Sequence, residues 1–285
     1  MDQKFRAIGT AIREADAVLI GASNGLSISD GYHIFADNDW FQENFGDFRS
    51  KYGIHNLLQG MFLQFSCPEE QWAFYSRLAY RVHYSLEPSR MMRELYALVR
   101  EKDYFVVTSN GEDHFTPAGF LPERVFEMEG KLTEYRCANH CHDDIYNNRE
   151  DVIRMAAVEK NKMVPSELLP KCPKCGGLME PNLPNGQSFF RTAAWQKKAK
   201  AYQEFTHKFH GKRLVILEFG IGYRNQMIKA PLMQLAMAEP NSTYITFNKG
   251  ELYIPAELAE KSIGVDGDIA EAIHEITATV GKTGN

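Results

Sequence analysis

The chain has no run approaching the roughly 18 apolar residues that a membrane span needs, so no membrane segment is expected. Its opening stretch, MDQKFRAIGTAIREADA, lacks an apolar core and a small-residue cleavage site, so no secretory signal is expected there. Neither sign of charge dominates: 32 Lys+Arg stand against 37 Asp+Glu, for a net charge of -5. No dense basic stripe is visible, which argues against a nucleic-acid partner. The largest basic cluster, Lys197, Lys198 and Lys200, is expected on a solvated helix face. Internal repeats and low-complexity segments are missing. Cysteine is scarce, and five in 285 residues do not build a disulfide scaffold. A cytoplasmic protein is expected.

What is present is ordinary for a globular chain. Apolar residues make up 44% and charged residues 24%, which excludes wholesale disorder. The length fits one large domain, or one large and one small. Residues 3–15 carry Phe5, Ile8, Ile12 and Ala15 on one helical face, and AVLIGAS follows as a buried strand. MMRELYALVREK reads as a helix, then YFVVTSN and RVFEMEG as strands. RLVILEFGIG is a strand, MIKAPLMQLAMAEP a helix interrupted at Pro231, TYITFNKG a strand and DIAEAIHEITATV a closing helix behind Asp268. Such alternation predicts an α/β fold, a Rossmann-like doubly wound parallel sheet covered on both faces. It is composed of residues 1–30, 91–133 and 191–285. Ligands of such sheets sit beyond the carboxyl ends of the strands.

Two stretches break the alternation. Residues 31–90, rich in aromatics, are expected as a helical insertion. Residues 134–190 hold four of the cysteines and the tail MEPNLPNGQ, and are expected as a small separate module. Its cysteines run Cys137-Ala-Asn-His-Cys141 and then Cys172-Pro-Lys-Cys175-Gly-Gly. Two such turns present the tetrahedral sulfur set that zinc prefers, with no position left open for a catalytic water. The first turn has three intervening residues, so His140 or His142 is an alternative to one thiolate. Free cysteines in two unconnected turns are the plain alternative. Cys67 stands alone in an aromatic stretch and is expected in the core.

The stretch LIGASNGLSISDG brings Gly21, Ala22, Ser23 and Gly25 to the end of the first strand. It departs from G-x-G-x-x-G and, taken alone, is equally a structural turn. Its companions at other strand ends are Thr108-Ser109-Asn110, Gly220-Ile221-Gly222, Asn248 and Asp268, and polar residues gathered there point to a site.

In these segments and their order the chain resembles the sirtuins, NAD-consuming deacylases and ADP-ribosyl transferases. GASNGLSISDG stands where that family has its Gly-Ala-Gly phosphate turn, and TSNGEDHFTPAGF where it has Thr-Gln-Asn-Ile-Asp followed by Ala-Gly. The cysteine pairs take the place of its zinc module. EFGIG is similar to its Gly-Thr-Ser strand end, and ITFN to the Ile-Asn that meets the adenosine ribose. The longer stretches NFGDFRSKYGIHNLLQGMF, WAFYSRLAY, IKAPLM, EPNSTYITFN and SIGVDGD resemble the bacterial class M branch, the macrodomain-linked ADP-ribosyl transferases.

The resemblance implies NAD as cosubstrate and zinc as structural metal, at Cys137, Cys141, Cys172 and Cys175. It implies NAD contacts at Gly21, Ala22, Ser23, Gly25, Ser109, Gly220, Gly222, Asn248 and Asp268, and chemistry at Asn110, Glu112 and Glu129. Three departures bear on that chemistry. Glu129 replaces the family's His before a glycine, where the class M branch commonly has Gln. Glu112 replaces the Asp that holds the nicotinamide amide. Ser23 replaces the second glycine of the phosphate turn. Without an imidazole a deacylase lacks its tuned proton acceptor. A buried Glu is a substitute base, a ligand for a ribose hydroxyl, a guide for a cationic acceptor, or merely structural.

Three functions are therefore expected to compete. The first is an NAD-dependent mono-ADP-ribosyltransferase acting on a protein acceptor; the resemblance implies a lipoyl-carrier protein of the H type and a link to a macrodomain hydrolase. The second is a deacylase using Glu129 as base. The third is a catalytically weak NAD or ADP-ribose binding module.

Overall fold

The computed structural model describes residues 2–184, 189 and 191–282; part of the expected Pro/Asn/Gly-rich tail, residues 185–187, lies outside them. Helix α1 (Asp2–Glu14) buries Phe5, Ile8 and Ile12 and leads into β1 (Ala17–Ala22), which is buried at every position. The short α2 (Asn24–Ser29) follows at once. Next come α3 (Asp39–Tyr52), α4 (Leu57–Met61) and α5 (Pro68–Ala79), the last running into a π-helical turn at Tyr80–Tyr84. In α3, Asn38 accepts a hydrogen bond from the Phe41 N–H, Gly53 ends the helix at φ 67°, and Phe41, Phe45 and Phe48 face inward. The chain then passes through α6 (Arg90–Val99), β2 (Asp103–Thr108) and β3 (Val125–Glu127).

The strands β4 (Lys131–Cys137), β5 (Tyr146–Asn147) and β6 (Met179–Asn182) form a small antiparallel sheet in the order β5-β4-β6. Helix α7 (Arg149–Val158) lies between β5 and β6 in the chain. Helix α8 (Ala193–Lys208) leads back to β7 (Leu214–Phe219), α9 (Gln226–Ala238), β8 (Thr243–Phe247), β9 (Ser262–Val265) and α10 (Ile269–Lys282). Among the described residues no helix is long and apolar enough to cross a membrane.

The main sheet has six strands in the order β3-β2-β1-β7-β8-β9, every pair parallel. Successive side chains of β1 pack on opposite faces, Val18 and Ile20 in one apolar cluster, Ala17 and Leu19 in another. This is the expected doubly covered parallel sheet. Ala22 stands level with both Thr108 and Phe219, and Phe219 with Phe247, so four strands end on one line. The chain order reverses between β1 and β7, which opens a crevice at their carboxyl ends.

The two inserted segments share one interior. Phe41, Phe45, Trp72 and Phe74 of the helical stretch and Leu132, Cys137, Val152, Cys172 and Met179 of the cysteine stretch belong to a single buried cluster.

Three local expectations are corrected. The break at Pro231 does not occur: α9 runs through it. Proline there leaves only the Met227 carbonyl without an i+4 donor, one residue into the helix, and Met227 is exposed. Cys67 is not in the core but sits half-buried at the N-cap of α5, ahead of Pro68. Lys198 leaves the solvated face of α8, its ammonium donating to Glu127 Oε2 at 2.5 Å, because that carboxylate is buried and needs a counter-charge.

Candidate active site

The turn after β1 and the turn after β7 touch backbone to backbone. Gly25 donates its N–H to the Gly220 carbonyl at 3.0 Å, and Ser23 donates its N–H to the Phe219 carbonyl at 3.1 Å. A Cβ on Gly25 would stand 2.5 Å from Gly220 Cα, and one on Gly220 would stand 2.4 Å from Gly25 Cα. Gly220 also has φ 60°, so only glycine fits there without strain. Gly21 is glycine for a different reason: the Leu232 side chain of α9 would meet its Cβ at 2.1 Å.

Side chains from three strand ends interlock beside these turns. Ser109 Oγ donates to Ser23 Oγ at 3.1 Å, and Asn225 Nδ2 reaches Ser23 Oγ at 3.0 Å and Ser109 Oγ at 2.9 Å. Asn110 donates from Nδ2 to the Ser23 carbonyl at 3.0 Å, while its Oδ1 is buried with no hydrogen-bond partner among the described residues. Thr108 Oγ1 ties the strand ends by donating to the Ala22 carbonyl at 3.1 Å. Asn248 Nδ2 donates to the Ile221 carbonyl at 3.2 Å.

Two cavities flank this knot and share Asn24 and Phe35. One, of about 730 Å³, is lined by Ser23, Gly25, Gly220, Gly222, Asn225 and Asn248 among others. The other, of about 310 Å³, has Ser109, Gly111, Glu112 and Glu129 at its polar side; its apolar walls include Tyr32, Phe35, Met61, Phe62, Leu132 and Leu183. Glu112 and Glu129 are the charged residues among its described lining, and no imidazole is among them.

The two carboxyls are held differently. Glu112 is buried and accepts from Ser27 Oγ at 2.5 Å. Burial pushes its carboxyl above the usual range, and the nearby His114 imidazolium and the Ser27 hydroxyl draw it part of the way back. His114 pairs with Asp30 at 2.6 Å and donates from Nε2 to the Val82 carbonyl at 2.9 Å. Burial pulls its pKa down, but the Asp30 and Glu112 carboxylates outweigh that and raise it to about 9. Glu129 is half-buried, has no partner among the described residues, and is pushed above the usual carboxylate range by burial alone.

The four expected sulfurs converge. Cys137 Sγ lies 3.5 Å from Cys175 Sγ, and Cys141 Sγ lies 3.6 Å from Cys172 Sγ. Tetrahedral zinc at about 2.3 Å from each sulfur would space them by about 3.8 Å, so the donor set fits that ion. His142 Nδ1 also stands 3.0 Å from Cys141 Sγ, and its Nε2 meets the Tyr146 hydroxyl at 2.8 Å. Cys137, Cys141, Cys172 and His142 offer ligand atoms all within 4.8 Å of one another. His140 is turned elsewhere, 3.9 Å from Glu180.

No family model matches the chain. A protein ADP-ribosyltransferase of Staphylococcus aureus is 31% identical over 278 residues, spanning 96% of this chain and 88% of that protein. The chain belongs to the protein ADP-ribosyltransferases of sirtuin fold. A probable bifunctional ADP-ribose hydrolase/ADP-ribosyltransferase of Fusarium oxysporum is 27% identical over 277 residues, and the chain spans 46% of its length. The sirtuin fold itself is shown by solved structures. A Sir2 homologue in complex with NAD superposes with TM-score 0.61 at 16% identity, covering 97% of this chain and 94% of that one. A structure addressing the mechanism and regulation of Sir2 enzymes gives 0.59 at 16% identity, covering 99% and 100%.

In this sirtuin-fold transferase most of the residues predicted to bind NAD meet at the knot, with Glu112 and Glu129 in the smaller cavity beside it, but Gly21 and Asp268 lie apart. Gly21 is packed beneath α9. Asp268 caps α10, accepting from the Ala270 and Glu271 N–H groups, and lines a separate cavity with Lys4 and Phe5. Sequence reasoning missed Asn225, although a polar residue just past a glycine-rich strand end carries the same signal as Ser109. Ser27 and Asp30 carry no local signal, and only folding brings them to Glu112 and its chain neighbour His114.

Proposed function

We propose that the protein transfers ADP-ribose from NAD to a side chain of a protein acceptor, as a class M type sirtuin transferase. NAD fits the site on two observations: glycine turns with no room for a Cβ, and a buried Asn110 Oδ1 without a partner among the described residues. NAD supplies the ADP-ribosyl group, and nicotinamide leaves with the electron pair of the broken bond. Ser23, Gly25, Gly220, Gly222 and Asn248 would hold the phosphate and adenosine side in the larger cavity. Asn110, Ser109 and Glu112 would hold the nicotinamide side, where a raised carboxyl can share a hydrogen bond with a carboxamide. Electron-rich oxygens fixed near the ribose favour the positive charge that develops as the bond breaks.

The observation that carries the transferase reading is Glu129. It brings a carboxyl that is unpartnered among the described residues, with a raised pKa, to the cavity where a deacylase of this fold would need an imidazole. Glu129 accepts the proton from the attacking atom of the acceptor. Residues 1–30, 91–133 and 191–285 bind NAD in this reading, and 31–90 with 134–190 receive the acceptor, zinc bracing the second segment. A lipoyl-carrier protein of the H type is the acceptor proposed. A macrodomain hydrolase would reverse the modification, a link supported by the double name of the Fusarium relative.

Intact mass spectrometry of candidate acceptors incubated with protein and NAD tests this. The expected result is an ADP-ribose mass gain on the acceptor matched by nicotinamide release. Loss of an acyl group from acyl-peptides without acceptor mass gain overturns it in favour of deacylation. Binding of ADP-ribose with no nicotinamide release under any acceptor overturns it in favour of a binding module.

A further inference from the structure

Beneath the Gly220–Gly222 turn lies a charged group that touches neither cavity. Glu218, on β7, is fully buried, and Lys229, on α9, is 2% exposed. Lys229 Nζ donates to Glu218 Oε1 at 2.5 Å, Thr246 Oγ1 donates to the same oxygen at 3.0 Å, and the Tyr244 hydroxyl donates to Oε2. Burying such a pair costs several kcal/mol per ion in desolvation, and apolar residues of the same volume often stabilise a fold as well or better. Stability alone therefore does not account for its presence in the middle of a sheet.

The pair has one further contact. Lys229 Nζ donates to the Ile221 carbonyl at 3.0 Å, the same oxygen that Asn248 Nδ2 meets from the other strand end. Every carbonyl of the turn is thus occupied: Gly220 by the Gly25 N–H, Ile221 by Lys229 and Asn248, Gly222 by the Asn225 N–H. The Ile221 and Gly222 N–H groups enter none of the described hydrogen bonds. A turn whose carbonyls are all bound within the protein presents donors, not acceptors, to the cavity, as an anionic phosphate requires.

We propose that Lys229, held by Glu218, is a positioning residue for NAD: it pins the Ile221 carbonyl away from the larger cavity so that the turn meets the pyrophosphate with N–H groups only. This rests on the NAD-binding reading above. Removing the ammonium leaves the Ile221 carbonyl held by the longer Asn248 bond alone, which loosens its orientation, and a carbonyl turned toward a phosphate is repulsive.

The test compares the wild type, the double variant Glu218→Gln/Lys229→Met, which leaves no buried unpaired charge, and Lys229→Arg, which keeps a cationic donor. ADP-ribose affinity is measured by calorimetry, NAD kinetics by nicotinamide release, and folding by thermal melting. The double variant is expected to melt cooperatively, to bind ADP-ribose about tenfold more weakly, and to show a raised KM for NAD with kcat within about twofold of wild type. Lys229→Arg is expected to recover most of the affinity. A cooperatively folded double variant with wild-type affinity and KM overturns the proposal. So does a double variant that fails to fold together with a folded Lys229→Arg whose kcat falls while its KM does not change. A wild-type protein that binds no ADP-ribose overturns this inference and the NAD reading together, which separates the two failures.

Discussion

The two cavities are built from opposite materials. The larger is made where backbone meets backbone, with Gly25 against Gly220, and its polar lining mixes amides and hydroxyls with the opposite charges of Arg224 and Glu251. The smaller is walled by Tyr32, Phe35, Met61, Phe62, Leu132 and Leu183 and carries two carboxyls. Close backbone approach suits a ligand recognised by its phosphates, whatever is to be transferred. Carboxyls set among apolar walls have shifted proton affinities, which suits a reaction. In the proposed reading recognition and chemistry are divided between two neighbouring spaces, which share Asn24 and Phe35 in their walls.

The sharpest way to break this division is Gly220→Ala. Its Cβ would meet Gly25 backbone atoms at 2.4 and 2.5 Å and would require φ 60° of a residue that disfavours it. ADP-ribose binding is expected to fall by about a hundredfold or more, because backbone atoms cannot move aside. Calorimetry checks it; unchanged affinity would show that the larger cavity is not the nucleotide site.

Glu129→Gln should act on the other side of the divide. Loss of a general base typically costs about 10²–10⁴ in rate, so kcat is expected to drop by about a hundredfold with the KM for NAD nearly unchanged. A raised KM with intact kcat would move Glu129 to recognition.

Zinc removal should separate the cavities as well. Leu132 and Leu183 wall the smaller cavity and share a buried cluster with Cys137 and Cys172. Chelation or Cys172→Ser is expected to cut transfer at least tenfold while ADP-ribose affinity changes less than threefold, and metal analysis should show the loss of one zinc per chain. Equal losses of both activities would mean that the two halves do not behave independently.

The smallest effect concerns pH. Glu129 has its folded pKa raised by burial above its unfolded value, so the folded state holds the proton more tightly. Its contribution to stability therefore falls as pH rises through that window, and activity that needs the carboxylate rises over the same range. Glu129→Gln is expected to melt slightly higher at neutral pH and to lose the acid limb of the kcat profile.

Much of this was legible in the one-dimensional pattern. The β1, β2, β7 and β8 strands, the cysteine turns and the polar strand ends at Ser23, Ser109, Asn110, Gly220 and Asn248 are local signals of periodicity and composition. Pro231 misled because the proline rule names the carbonyl four residues back but not where the helix begins: Met227 falls in its first turn. Asp268 shows that a carboxylate at a strand end serves a helix cap, a role that the strand-end pattern does not distinguish from a ligand contact. Sequence order alone also separated residues 31–90 from 134–190, whereas apolar packing joins them around Phe45, Trp72, Cys137 and Cys172.

The amino-acid order by itself determined which segments are strands, where they stop and which chemical groups stand at those ends, because such preferences act over a few residues. Only the tertiary structure decided that Gly25 faces Gly220, that Ser27 and Asp30 come to Glu112 and His114, that Glu129 has no partner among the described residues, and that Lys229 reaches the Ile221 carbonyl. Most of those pairings join residues far apart in the chain, and burial, which sets proton affinity and the cost of an unmet hydrogen bond, exists only once the sheet has closed.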